Sequence, residues 1–178
     1  MVGNDIVDLN LAESNAWKRK RFLDKVLVPS EQALLKNSSD PGTLLWVLWS
    51  MKEGTYKLHF RKHLHRALNP TRFTCYFDVD FEASFEGELR GRVEVSDQVY
   101  LTNSVIFENY VHTTATERTS RALMRTDEVS AGNRKEVRGK TIQALVRSFS
   151  ETNNLDSEQL EFIKDKNGLP FLTHKLTG

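Results

Sequence analysis

The stretch from Leu44 to about Arg66 constrains the fold more than any other part of the sequence. Leu44, Leu48, Met51, Thr55 and Leu58 recur at helical spacing and form one stripe. Trp46, Trp49, Tyr56, Phe60 and Leu64 form a second stripe on the opposite side. A helix that is apolar on two sides is predicted to be buried on two sides, so it belongs inside the molecule. Asn69-Pro70 ends it, and Arg61, Lys62, His63 and Arg66 near that end suit the helix dipole.

The flanking patterns supply what such a helix packs against. Val2 to Leu9 reads as a short strand, in which Gly3 and Asn4 tolerate unusual backbone angles and Asp5 and Asp8 interrupt the apolar run. Residues from about Leu11 to Lys25 read as a helix carrying Lys18, Arg19, Lys20 and Arg21, and Val28-Pro29-Ser30-Glu31 opens a second short one. Asn37 to Gly42 reads as a break. Phe73, Cys75, Phe77, Val79 and Phe81 alternate with polar residues, and strand-like runs follow at Leu89–Val95, Val99–Phe107 and Tyr110–Thr114. Glu117 to Asn133 is polar and reads as a loop or a helix. Arg134 to Phe149 is helical, with Val137, Ile142, Leu145, Val146 and Phe149 on a face, and Asp165-Lys166-Asn167-Gly168 marks a hairpin. No repeat or long linker appears, so the order of elements predicts an α+β fold in one domain over residues 1–178.

Composition narrows the functional classes. With 178 residues, 39% hydrophobic and 28% charged, the chain has material for one sizeable core. Lys and Arg number 25 against 24 Asp and Glu, and a net charge of +1 leaves no global footprint for nucleic acid. The single cysteine, Cys75, excludes a disulfide scaffold; it alternates with phenylalanines and reads as core. A reducing, cytoplasmic setting is expected. No apolar run approaches the roughly 20 residues of a membrane helix, and the N-terminus has no signal-peptide pattern, so no membrane association is expected.

Two acids are out of place. Glu53 sits at the centre of the aromatic stripe, where an unpartnered carboxylate is costly. It reads either as half of an i,i+4 pair with Lys57, or as a metal ligand with Lys57 aimed at an anionic substrate. Asp5, inside a short apolar strand, reads as an edge or turn feature, or as a second oxygen donor that would complete with Glu53 the low-count site Mg2+ prefers. The basic stretches Lys18–Arg21 and Arg61–Arg66 read as solvated faces, or as surfaces for phosphates or an acidic protein. His59, His63 and His65 do not complete a zinc set. No Walker loop, nucleophile elbow or dinucleotide fingerprint occurs.

Together these residues resemble a known family. Gly3-Asn4-Asp5-Ile6-Val7-Asp8 is similar to the Gly-x-Asp-Ile opening of the 4′-phosphopantetheinyl transferase superfamily. Trp49 to Lys57 is similar to its Trp-x-x-Lys-Glu-x-x-x-Lys helix, the more specific of the two motifs. The spacing of 48 residues between Asp5 and Glu53 resembles that of the small holo-acyl-carrier-protein-synthase branch. Phe22 to Glu31 is similar to that branch's segment ending in Thr-x-x-Glu, with Val28 where Thr is usual. Asp165 to Leu172, with Gly168-Leu169-Pro170, resembles the late Gly-x-Pro hairpin.

The resemblance implies a long central helix packed on an antiparallel sheet, and transfer of phosphopantetheine from coenzyme A to a serine of an acyl or peptidyl carrier protein, as in fatty acid biosynthesis. It implies that Asp5 and Glu53 hold Mg2+ and that Lys57 holds phosphate oxygens of coenzyme A. Glu53, or a water on the metal, would help deprotonate the serine. Gly168 and Pro170 would lie near the adenosine end. Carrier proteins of this class are acidic, which gives the basic stretches a docking role. Three departures accompany it. Val7 stands where the larger branch has a second acid. Residues 72–141 look like an inserted or extended strand-rich region; small members are trimers with sites between protomers, so a homo-oligomer is among the assemblies allowed. The family's final Ser-x-Ser-His strand does not occur before Gly178. That last departure motivates the alternative expectation, a non-catalytic homologue that binds a carrier protein or nucleotide.

Overall fold

A computed structural model describes residues 1–12, 16–63, 68–78, 87–117, 133–168 and 170–175. The chain divides into two compact units, Met1–Leu123 and Met124–Gly178. Five strands make one antiparallel sheet in the first unit: β1 (Val2–Asp8), β2 (Thr74–Phe77), β3 (Gly87–Val95), β4 (Gln98–Ile106) and β5 (Tyr110–Thr116). Their order is β1-β5-β4-β3-β2, so the first strand pairs with the last. The register sets Gly3 opposite Ala115 and Asp5 opposite Thr113.

Three helices precede β2: α1 (Lys20–Val26), α2 (Pro29–Asn37) and α3 (Pro41–His63). α3 packs along β1 and β5, and its Leu44, Leu45, Val47, Leu48, Met51 and Leu58 are all buried. The two-sided helix is therefore the core of this unit, and the α+β class with a long helix on an antiparallel sheet is as the sequence predicts. Trp46, Trp49, Tyr56 and Phe60 are half-buried on its other side. Leu64, His65, Arg66, Val79 and Phe81, and the polar stretch from residue 118 to 132, lie outside the described residues.

Two boundaries differ from the sequence reading, each for a local reason. The break at Asn37–Gly42 stops at Asp40. Asp40 Oδ1 accepts the Thr43 amide at 3.0 Å, a helix cap, and Pro41 follows as the first helical residue. Among the described residues of the helix expected over Leu11–Lys25, a short 3-10 turn at Ala16–Lys18 and α1 are separate, because Arg19 between them is extended (φ −93°, ψ 91°); residues 13–15 lie outside the described residues. Asp8 ends β1 by accepting the amides of Asn10 and Leu11 at 2.9 and 3.2 Å.

α2 begins with half of a capping box. Glu31 Oε2 accepts the Val28 amide at 2.9 Å, but Val28 has no oxygen to return the bond to the first turn. Val28→Thr restores that acceptor, and it is expected to raise stability by about 0.5–1 kcal/mol. Urea unfolding of the two proteins measures it.

The second unit contains α4 (Arg134–Asn153) and the hairpin of β6 (Leu160–Lys164) and β7 (Pro170–His174). Asn133 caps α4 through its side chain, and Asn154 closes it in the left-handed conformation. Among the described residues no helix is long and apolar enough to cross a membrane.

Candidate active site

The site forms where β1 lies against α3, and Gly3 permits that approach. A Cβ at Gly3 would run into the Gly54 carbonyl oxygen and come within 2.9 Å of Leu58 Cβ and N. Gly3 is thus present for close packing, not for the unusual backbone angles the sequence suggested; the positive-φ glycines described are Gly87 and Gly168. Ser50 Oγ on α3 donates to the Asp5 carbonyl at 3.3 Å, a second tie between strand and helix.

This approach brings together the residues at positions 5, 53 and 57. Lys57 Nζ meets Asp5 Oδ1 at 2.6 Å. The Asp5 side chain is 12% exposed and that of Lys57 46%, so the pair sits at the edge of the packed interior rather than in the core. Lys57 therefore makes its ion pair across to β1, not with Glu53 one turn before it. Burial raises the pKa of Glu53, the nearby Asp5 charge raises it further, and Lys57 opposes both. His112, opposite Ile6 on β5, belongs to the same electrostatic neighbourhood. Burial lowers its pKa, while Asp5 pulls it up and Lys57 pushes it down. The sequence reading missed His112, because its nearness to Asp5 arises from pairing between the first and last strands of the sheet.

Lys52, the residue before Glu53, faces the other way. Its ammonium is fully buried and donates to Glu31 Oε2 at 2.6 Å, the Val26 carbonyl at 2.8 Å and the Pro70 carbonyl at 3.0 Å. Glu31 Oε1 in turn accepts the Cys75 amide at 2.8 Å. This buried charge was also missed. The signal was available in the spacing of Leu45, Leu48, Lys52 and Thr55, which puts Lys52 on the buried stripe. Cys75 is core as expected; burial first, and Glu31 second, hold its thiol well above the ordinary range.

The other candidates lie on other elements. Gly168 and Pro170 lie on the β6–β7 hairpin of the second unit, where Gly168 adopts φ +79° and its amide donates to the Asp165 carbonyl at 2.9 Å. Leu169 between them is outside the described residues. Lys18, Arg19, Lys20 and Arg21 are all exposed, as are Arg61, Lys62 and His63. Lys62 pairs with Glu117 at 2.9 Å. His59 shares a hydrogen bond with Tyr100 Oη at 2.9 Å through Nδ1, and its ring lies 4.3 Å from that of His63. Among the described residues no group of three or more His, Cys, Asp and Glu side chains could hold a metal ion.

Asp5 and Glu53 offer two hard oxygen donors whose mutual repulsion a cation would relieve. That chemistry fits Mg2+, which takes one or two carboxylates from a protein and fills its remaining positions with water and phosphate. No curated protein matches the chain by sequence. A family model, that of the 4′-phosphopantetheinyl transferase superfamily, matches residues 1–115. The match runs from β1 through α3 into β5 and so takes in Asp5, Lys52, Glu53, Lys57 and His112; the chain belongs to the 4′-phosphopantetheinyl transferase superfamily.

Proposed function

We propose that this protein transfers the 4′-phosphopantetheine arm of coenzyme A to a serine hydroxyl of an acyl or peptidyl carrier protein, with Mg2+, releasing 3′,5′-ADP. The observation that carries the reading is that Asp5, 48 and 52 residues before Glu53 and Lys57, is brought beside both where β1 lies on α3. In that reaction the serine oxygen forms a new bond to phosphorus, the bond to 3′,5′-ADP breaks, and the serine gives up a proton. Phosphoryl transfer is mostly positioning and charge stabilisation, so the protein needs carboxylates, a cation and a dry wall more than a nucleophile.

Each residue has a part. Asp5 and Glu53 would hold Mg2+, which when bound neutralises charge developing on the diphosphate. Lys57, half-exposed beside Asp5, would take phosphate oxygens of coenzyme A. Glu53 would receive the serine proton. The exposed cations of Lys18–Arg21 suit an acidic carrier protein approaching the same unit.

The test is the intact mass of an apo carrier protein after incubation with the full chain, coenzyme A and Mg2+, with and without chelator. A gain of one phosphopantetheine that the chelator abolishes is the expected result. Carrier binding without mass gain, across several carriers, would overturn transfer and leave a non-catalytic carrier-binding protein.

A further inference from the structure

Three consecutive residues of α3 point in different directions. Lys52 is anchored in the core, Glu53 stands half-buried beside Asp5 and Lys57, and Gly54 meets Gly3 of β1. Successive helical residues are about 100° apart, so fixing one fixes the next. Much of α3 packs through apolar contacts, which are non-directional, and its directional ties to β1 (Ser50 to Asp5, Lys57 to Asp5, and the close Gly3–Gly54 approach) all lie on one side. The Lys52 ammonium is different: its three protons meet three oxygens, carried by the end of α1, the first turn of α2 and the turn at Pro70–Arg72. Stability alone does not call for such an arrangement, because well-packed apolar side chains of similar volume often replace a buried ion pair at no loss.

The scale of the effect is set by geometry. A carboxylate about 5–6 Å from the helix axis moves by roughly 1 Å when the helix turns by about 10°. A misplacement of about 1 Å can cost a site about 100-fold in rate.

We propose that Lys52 is a positioning residue for Glu53: seated on Val26, Glu31 and Pro70, it sets the rotation of α3 and holds the Glu53 carboxylate where a divalent cation can use it. The inference rests on the reading of Glu53 as a Mg2+ ligand. Glu31 belongs to the same device, since it orients Lys52 through one carboxylate oxygen and binds the Cys75 amide through the other.

Mn2+, which is visible by electron paramagnetic resonance, serves as the probe. It is titrated into the full-length wild type, Glu31→Gln, Lys52→Met/Glu31→Gln, and Val93→Ala as a control for lost stability at a buried position on β3. All are measured at a temperature where circular dichroism shows them folded, and kcat and KM for the carrier protein are measured alongside. The expected result is Mn2+ binding weakened about tenfold or more in the double variant and in the same direction in Glu31→Gln. kcat falls with it and the carrier KM holds, whereas Val93→Ala retains wild-type affinity and kcat. If the double variant does not fold, Glu31→Gln decides. Folded variants that bind Mn2+ and turn over as Val93→Ala does would reduce Lys52 to a stabilising role and leave the transferase reading intact. A wild type that binds no Mn2+ even with coenzyme A present would overturn both the positioning role and the reading of Glu53 as a metal ligand.

Discussion

Glu53→Gln leaves the protein folded and lowers transfer to a carrier serine by about 10²–10⁴-fold, the range expected when a residue that handles a proton is removed from a phosphoryl-transfer site. Gln keeps the shape and one oxygen but carries no charge, so it neither neutralises a cation nor accepts the serine proton. Stability moves the other way. The pKa of Glu53 is raised above its ordinary 4.5 in the folded protein, first by burial and then by Asp5. The folded state therefore holds the ionised form less comfortably than the unfolded chain does. Above pH 4.5 that difference counts against folding, and below it the proton is bound in both states and the difference vanishes. The metal-free variant is thus at least as stable as wild type at pH 7, and the two converge at acid pH. Thermal melts at the two pH values, run beside the mass assay, check both halves. Full transfer by Glu53→Gln, or a variant less stable at neutral pH, contradicts the assignment.

Gly3→Ala and Gly54→Ala are expected to act in opposite directions although the two glycines touch. A Cβ at Gly3 meets the backbone of α3, which cannot yield as a side chain can. Overpacking of this kind costs about 1–3 kcal/mol and occasionally more. It also separates β1 from α3, so Asp5 and Lys57 lose their 2.6 Å contact and transfer falls with stability. A Cβ at Gly54 finds the Asp5 amide nitrogen and the Thr113 carbonyl oxygen at 3.6 Å, an ordinary contact. Inside a helix the change from Gly to Ala is worth about 0.5–1 kcal/mol in favour of folding. Chemical denaturation of the two variants separates these outcomes, and equal losses at both positions would show that β1 and α3 do not approach as described.

The elements were legible wherever a period governed them. The stripes of α3 as far as His63, the alternation around Cys75 as far as Phe77 and the Asp165–Gly168 turn gave the right structure over the described residues, because each is settled by residues near in sequence. Contacts between distant segments were harder to read. The sequence puts Lys57 one turn from Glu53, and only the pairing of β1 with β5 and the packing of both on α3 reveal that its partner is Asp5. Gly3 looked like a point of backbone freedom, and its reason is the helix on the other side of it. Lys52 was hidden by its type. A lysine is read as solvent-facing, and the glutamate that makes its burial affordable lies 21 residues earlier at the start of another helix. The motif residues named the family, but the geometry gives each of them a reason.

The Lys52 network also bears on the order in which the chain assembles. Its bonds join residues 18, 21, 26 and 44 positions apart, and the full set is complete only after α1, α2, α3, the Pro70–Arg72 turn and β2 have met. Until then Lys52 and Glu31 are hydrated ions that resist collapse around them. Contacts that close last contribute little to the speed of folding and mostly to the barrier against unfolding. This buried pair is therefore expected to prolong the life of a folded molecule more than to hasten its formation.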